Sequence, residues 1–148
     1  MKIGVSGSRE GITMEAKIWL DDFMRKNNLS ITEAHHGDCV GADFVFHEVC
    51  SQHNHIKLFI HPPNRGSMRA YCKGNTVLPE KPYLERNRDI VDAIDLLLAF
   101  PSTQTEVLRS GTWSTIRCAR KLGKRLITIF PDGSTKEENS SGLDSSIN

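Results

Sequence analysis

Short apolar runs that alternate with stretches of helical period predict an α/β fold for this chain, a single Rossmann-like three-layer domain with a five-stranded parallel sheet in the order 3-2-1-4-5. Three observations carry the prediction. The alternation itself demands right-handed crossovers and a parallel sheet covered on both faces. The strand runs end in glycine or proline turns, where such sheets place their loops. A length of 148 residues with 38% hydrophobic content fits one core once helices cover a sheet, and no second domain is expected.

Lys2 to Ser6 is a short apolar strand that ends in Ser6-Gly7-Ser8-Arg9, where Gly7 permits a tight turn and Ser8 can cap the next segment. Ile12, Ala16, Trp19, Leu20 and Phe23 recur at three and four, the period of an amphipathic helix from Ile12 to Asn27. Ile31 to His36 is the second strand, made more polar than a buried parallel strand by Thr32, Glu33 and two histidines. It enters His36-Gly37-Asp38-Cys39-Val40-Gly41-Ala42-Asp43, a second glycine turn, and then a helix carrying Phe44, Val45, Val49 and Cys50. Ile56 to Ile60 is the third strand, stopped by His61-Pro62-Pro63 because proline restricts the residue before it and cannot donate to a ladder.

Residues 64 to 81 come next, with Arg65, Gly66, Arg69, Gly74, Asn75 and Pro79. A loop of this length in a compact domain is functional or mobile, and it reads as a lid whose Arg65 or Arg69 covers a ligand. From Pro82, a helix places Leu84, Ile90, Val91 and Ile94 on one arc, with Asn87 inside it and Arg86 on its flank. Asp95 to Phe100 is the fourth strand and Leu126 to Phe130 the fifth; the helix between them, Gly111 to Leu122, is stopped by Gly123. Apolar content falls away from Ser134 on, so residues 134 to 148 are expected to be a disordered polar tail behind a domain of residues 1 to 133.

Composition removes several function classes. A net charge of +1, with only Arg65, Arg69 and Lys73 clustered, disfavours a nucleic acid partner. The four cysteines stand singly and the six histidines include no His-Glu-x-x-His, so no metal site and no cofactor are expected. Reduced thiols and the lack of an apolar run of roughly 18 residues predict a cytoplasmic protein with no membrane partner.

In a sheet wound this way ligands bind beyond the carboxyl ends of the strands where the winding reverses, here between the first and fourth strands. Gly7-Ser8-Arg9, the turn from Gly37 to Asp43, His61-Pro62 and Ser110-Gly111-Thr112 all fall at that edge. Ser110-Gly111-Thr112 reads either as an ordinary N-cap or as a phosphate cradle, since a helix start exposes unpaired N–H groups and the positive end of the dipole. Asp43 likewise reads as a cap or arginine partner, or as a reacting carboxylate; Asp38 is placed to accept from ribose hydroxyls.

Taken together, Ser6-Gly7-Ser8-Arg9, the His36 to Asp43 turn, His61-Pro62-Pro63, Glu85-Arg86-Asn87 and Ser110-Gly111-Thr112 resemble the SLOG superfamily, which includes LOG phosphoribohydrolases, DprA-type proteins and small YspA-like domains. The resemblance covers nearly all of residues 1 to 133 and is nearest to the YspA-like group in its Gly-Ser-Arg and His-Gly-x-x-x-Gly-Ala-Asp turns. It implies a nucleotide-binding Rossmannoid domain and, from LOG proteins, a homodimer. LOG enzymes carry Pro-Gly-Gly-x-Gly-Thr-x-x-Glu and a Glu-Arg-Lys helix start. Here Gly111-Thr112 and Glu85-Arg86 match, while Leu108-Arg109 replace the paired glycines, Asn87 replaces the Lys, and Thr115 stands at the position of the catalytic Glu.

The expected function is therefore binding of a nucleoside phosphate, NAD or an ADP-ribose type ligand by Gly7, Ser8, Arg9, Gly37, Asp38, Gly41, Ala42, Asp43, His61, Pro62, Arg86, Asn87, Ser110, Gly111 and Thr112. The first alternative is a phosphoribohydrolase that cleaves the N-glycosidic bond of a nucleoside 5'-monophosphate, with Arg86 and a displaced carboxylate, Asp43 or Glu106, as catalytic groups. The second alternative is DprA-like binding of single-stranded DNA.

Overall fold

The computed structural model describes residues 1–139. The chain runs β1 (Lys2–Gly7), α1 (Met14–Asn27), β2 (Glu33–His36), α2 (Ala42–Ser51), β3 (Lys57–Ile60), β4 (Thr76–Val77), α3 (Tyr83–Ala93), β5 (Leu96–Phe100), α4 (Gly111–Lys121), β6 (Arg125–Ile129) and β7 (Thr135–Glu138).

Strand alternation explains the three layers. On β5, Leu96, Leu98 and Phe100 face one side with Ile3, Val5, Leu20, Phe46 and Ile127, while Leu97 and Ala99 face the other with Ile90, Ile94, Trp113, Ile116 and Leu126. All five residues of β5 are buried, as a central parallel strand requires. Thr13 caps α1, accepting from the amide of Ala16 at 3.2 Å, so the helix begins at Met14 and not at the predicted Ile12.

The sheet order is β4-β3-β2-β1-β5-β6-β7. Its middle contains the expected 3-2-1-4-5 arrangement, every pair there parallel. The expectation of five strands is corrected to seven. β4 adds a parallel edge beside β3, and β7 pairs antiparallel with β6.

β7 lies inside the stretch expected to be a disordered tail. A hairpin turn orders it: Asp132 Oδ1 accepts from the amide and hydroxyl of Ser134, the Phe130 amide bonds the Ser134 carbonyl, and Gly133 takes φ +86°. Arg120 then holds Glu138 through Nε at 2.9 Å and a second nitrogen at 3.1 Å. Backbone pairing supplies here what apolar content does not. Residues 140–148 of the expected tail lie outside the described residues.

The long connection from residue 64 to 81 is likewise more ordered than its sequence implies. A 3-10 turn at Gly66–Met68, the strand β4, and bridges Cys39–Arg69 and Pro63–Lys81 pin it to the body. Among the described residues no helix is long and apolar enough to cross a membrane.

Candidate functional site

Where β1 and β5 end and the winding reverses, α2, α3 and α4 converge on a cleft of about 400 Å³, within the usual size of a small-ligand pocket. Gly7, Ser8, Arg9, Gly37, Asp43, Arg86, Asn87, Ser110, Gly111 and Thr112 line it together. Two glycines allow the walls to close this far. Gly41 adopts φ +91° and a side chain there would strike the Ser8 carbonyl; a side chain at Gly37 would strike the Arg86 guanidinium.

Arg86 is the central feature. It sits on the first turn of α3, only 5% exposed. Its terminal nitrogen donates to the Gly37 carbonyl and, at 3.2 Å, to the His61 carbonyl; its Nε donates to Asn87 Oδ1 at 2.8 Å. The remaining nitrogen meets only the Cys39 thiol, at 3.8 Å, and none of these bonds goes to a carboxylate. A buried cation normally has a counter-charge; the Asp43 carboxyl feels Arg86 electrostatically but makes no hydrogen bond to it, and the guanidinium lines the cleft. Tyr83 stacks against two guanidinium groups, Arg86 at 5.0 Å and Arg9 at 4.9 Å, and fixes both at the rim.

Asp43, on the first turn of α2, is buried and accepts through one oxygen, Oδ2, from the amides of Gly37 at 3.1 Å and Cys39 at 3.2 Å. Burial pushes its carboxyl up to about 6, against the downward pull of Arg86 and of the two amides. Asp43 does not cap α2, whose N-cap is Gly41 without a side-chain bond; its oxygen holds the preceding turn, and the residue lines the cleft.

Opposite, Ser110 caps α4 by accepting from the Trp113 amide at 3.2 Å. The first i to i−4 bond of the helix is Ser114 to Ser110, at 2.9 Å, so the amides of Gly111 and Thr112 precede it and stand open to an anion. Arg109, just before the cap, also lines the cleft. Thr115, at the position of the LOG glutamate, is buried and donates back to the Gly111 carbonyl at 2.9 Å.

Several predicted residues lie elsewhere. Asp38 is fully buried and engaged by Arg69 Nε at 2.7 Å and the Cys72 amide at 2.8 Å, so it has no free oxygen to offer a ribose. Arg69 in turn is committed to Asp38 and Glu80 and does not cover the cleft, which the 64–81 connection does not line. Gly41 and Ala42 brace the end of β1, the Ala42 amide bonding the Ser8 carbonyl at 2.9 Å. His61 and Pro62 face away from this cleft, and Glu106 sits at the surface between Arg117 and Arg120, both at 3.0 Å. Sequence reasoning missed Tyr83, Cys39 and Arg109 as lining residues; a tyrosine three residues before a buried arginine was the available signal.

One cluster has metal-like composition: ligand atoms of His36, His47 and Cys72 lie within 4.8 Å of one another. The His36 Nδ1 accepts from the Asp38 amide at 2.9 Å, which puts the proton of neutral His36 on Nε2, where it donates to His47 Nδ1 at 2.9 Å. Ligation through Nε2 would require the other tautomer, so this trio is a hydrogen-bonded pair beside a thiol.

No protein-family model matches the chain, and no curated protein matches its sequence. Solved structures share its fold. The protein TM1055 aligns at a TM-score of 0.63 with 15% identity, over 85% of this chain and 72% of that one. DNA processing protein A from Helicobacter pylori, described for its single-stranded DNA binding mode, aligns at 0.66 with 18% identity over 99% of this chain and 72% of its own. DprA from Streptococcus pneumoniae aligns at 0.62 with 19% identity over 99% of this chain, which spans only 55% of that protein. These likenesses show a shared Rossmann-like α/β fold. The expectation that nucleic acid is disfavoured as a partner is corrected by these neighbours, since two are DprA proteins, one of them described for its single-stranded DNA binding mode.

Proposed function

We propose that the cleft binds the phosphate of a nucleotide or nucleotide-derived ligand. The observation that carries this reading is Arg86, a buried guanidinium with no carboxylate among its hydrogen-bond partners, opening onto the same space as the free amides of Gly111 and Thr112. A dianionic phosphate supplies the hydrogen-bonded anion that Arg86 lacks, takes both amides, and gains Arg9 and Arg109 at the rim. A volume of about 400 Å³ suits a nucleoside monophosphate better than a whole dinucleotide.

Asp43 favours one extension of this reading. A carboxyl with its proton affinity raised to about 6, beside the proposed phosphate, titrates where a general acid or base works best. Cleavage of the glycosidic bond of a nucleoside 5'-monophosphate is thus the enzymatic alternative, with Asp43 in place of the glutamate that Thr115 replaces. The DprA neighbours support a second alternative, in which the phosphate belongs to a single strand.

Isothermal titration with a nucleoside 5'-monophosphate, its nucleoside and inorganic phosphate separates these. The proposal expects the monophosphate to bind more tightly than the nucleoside and inorganic phosphate to compete with it; equal affinity of nucleoside and nucleotide would overturn it. Release of free base over hours marks the enzyme, and salt-sensitive binding of an oligonucleotide marks the single-strand reading.

A further inference from the structure

Strands β2 and β3 carry a hydrogen-bonded file of side chains that the phosphate reading leaves unused. Glu33 Oε1 meets His35 Nε2 at 2.8 Å, and His35 Nδ1 meets His61 Nε2 at 2.9 Å. His35 is held by its cross-strand partner Phe59, the two rings stacked at 4.6 Å and 9°.

The ends of the file fix its proton order. Burial pushes both imidazoles downward, His61 to about 4, so each is neutral at neutral pH. An ionised carboxylate only accepts, so His35 gives Glu33 its Nε2 proton and keeps a lone pair at Nδ1. His61 must then donate its own Nε2 proton to His35, which leaves Nδ1 of His61 as a lone pair. That atom has no hydrogen-bond partner among the described residues and is not sealed in the interior, although His61 is only 5% exposed. His61 lines a second cleft.

This second cleft, of about 430 Å³, is walled by Leu78, Pro79 and Ala93, with Lys81, Asp89 and Asp92 around it. Arg86 lines it as well as the first cleft. Lys81 pairs with Asp89 at 2.7 Å and Asp92 with Arg88 at 3.3 Å, so these charges are already matched and call for no charged guest. The apolar walls suit a flat ring, and the oriented lone pair requires that ring to donate.

We propose that this cleft takes an uncharged heteroaromatic ring with an exocyclic amino group, an aminated nucleobase, whose N–H donates to His61 Nδ1. The choice of a nucleobase among such rings rests on the nucleotide reading; the site geometry does not. Adenosine and purine riboside, which differ only in the amino group and lack phosphate, are the probes, with long-range nitrogen NMR of the 15N-labelled full chain as the readout.

His61 is expected to show protonated Nε2 and unprotonated Nδ1. Adenosine should move the Nδ1 resonance upfield, and purine riboside should bind roughly tenfold more weakly, the size of one net hydrogen bond. Glu33→Leu, away from the cleft, should weaken adenosine by releasing the tautomer of His35. Inorganic phosphate should leave Nδ1 unmoved, so a failure of the first cleft is read separately from a failure here. A His61 protonated at Nδ1, or equal behaviour of the two nucleosides at millimolar concentration, overturns the proposal; both are measured on the wild-type chain and need no variant to fold.

Discussion

Replacing Asp43 by Asn should change how stability depends on pH, and the structure sets both sign and size. Asp43 is buried and its carboxyl is raised from 3.8 to about 6. Between those values the folded protein holds more of this proton than the unfolded chain, so the contribution of Asp43 is full below 3.8 and lost as pH rises through about 6. A gap of about two units corresponds to roughly 3 kcal/mol. Because a single oxygen accepts from both Gly37 and Cys39, the oxygen of Asn can keep both bonds while the charge is removed. His36 and His61, lowered to about 3 and about 4, push stability the other way with pH, but they remain in both proteins and cancel in the difference. Urea unfolding of the two proteins from pH 4 to pH 8 should therefore show the Asn variant gaining up to about 3 kcal/mol on the parent by pH 7. A difference that stays flat across this range would refute the claim that an ionised Asp43 is held there at a cost.

Gly111→Asp should leave the fold intact, since a side chain at this position meets nothing within 4 Å and the backbone is not left-handed; thermal protection by a 5'-monophosphate, about 2.7 kcal/mol at a hundredfold excess over Kd, should vanish. Arg69→Met strands the fully buried Asp38 without its partner, and denaturant melts should register a loss of about 3 kcal/mol, with faster amide exchange at Ala70 and Cys72, whose N–H groups bond the carbonyl and the carboxylate of Asp38. Glu106→Gln should leave nucleotide affinity unchanged, because Glu106 pairs with Arg117 and Arg120 outside the cleft; a clear fall in affinity would return it to the site.

What could be read in advance was whatever local pattern decides. The Leu96–Phe100 run announces a strand buried on both faces, and Ser110-Gly111-Thr112 announces a capped helix start at the winding reversal; both stand where the pattern puts them. Thr135–Glu138 carries no apolar signal, because its order comes from the β6 ladder and Arg120, neither of which is local. The 64–81 connection resembles a free lid for the same reason: its anchor, Asp38, is 31 residues from Arg69 in sequence. Asp38 and Glu106 illustrate the limit for site residues, since a carboxylate in a turn looks identical whether it faces a ligand or an arginine of its own chain.

A phosphate held by Arg86 and the α4 start is the central claim, and a crystal structure grown with a nucleoside 5'-monophosphate tests it directly. The phosphate oxygens should lie within hydrogen-bond distance of the Arg86 guanidinium and of the Gly111 and Thr112 amides. A bound nucleotide whose phosphate lies outside this cleft, or a cleft left empty at saturating nucleotide, would contradict it.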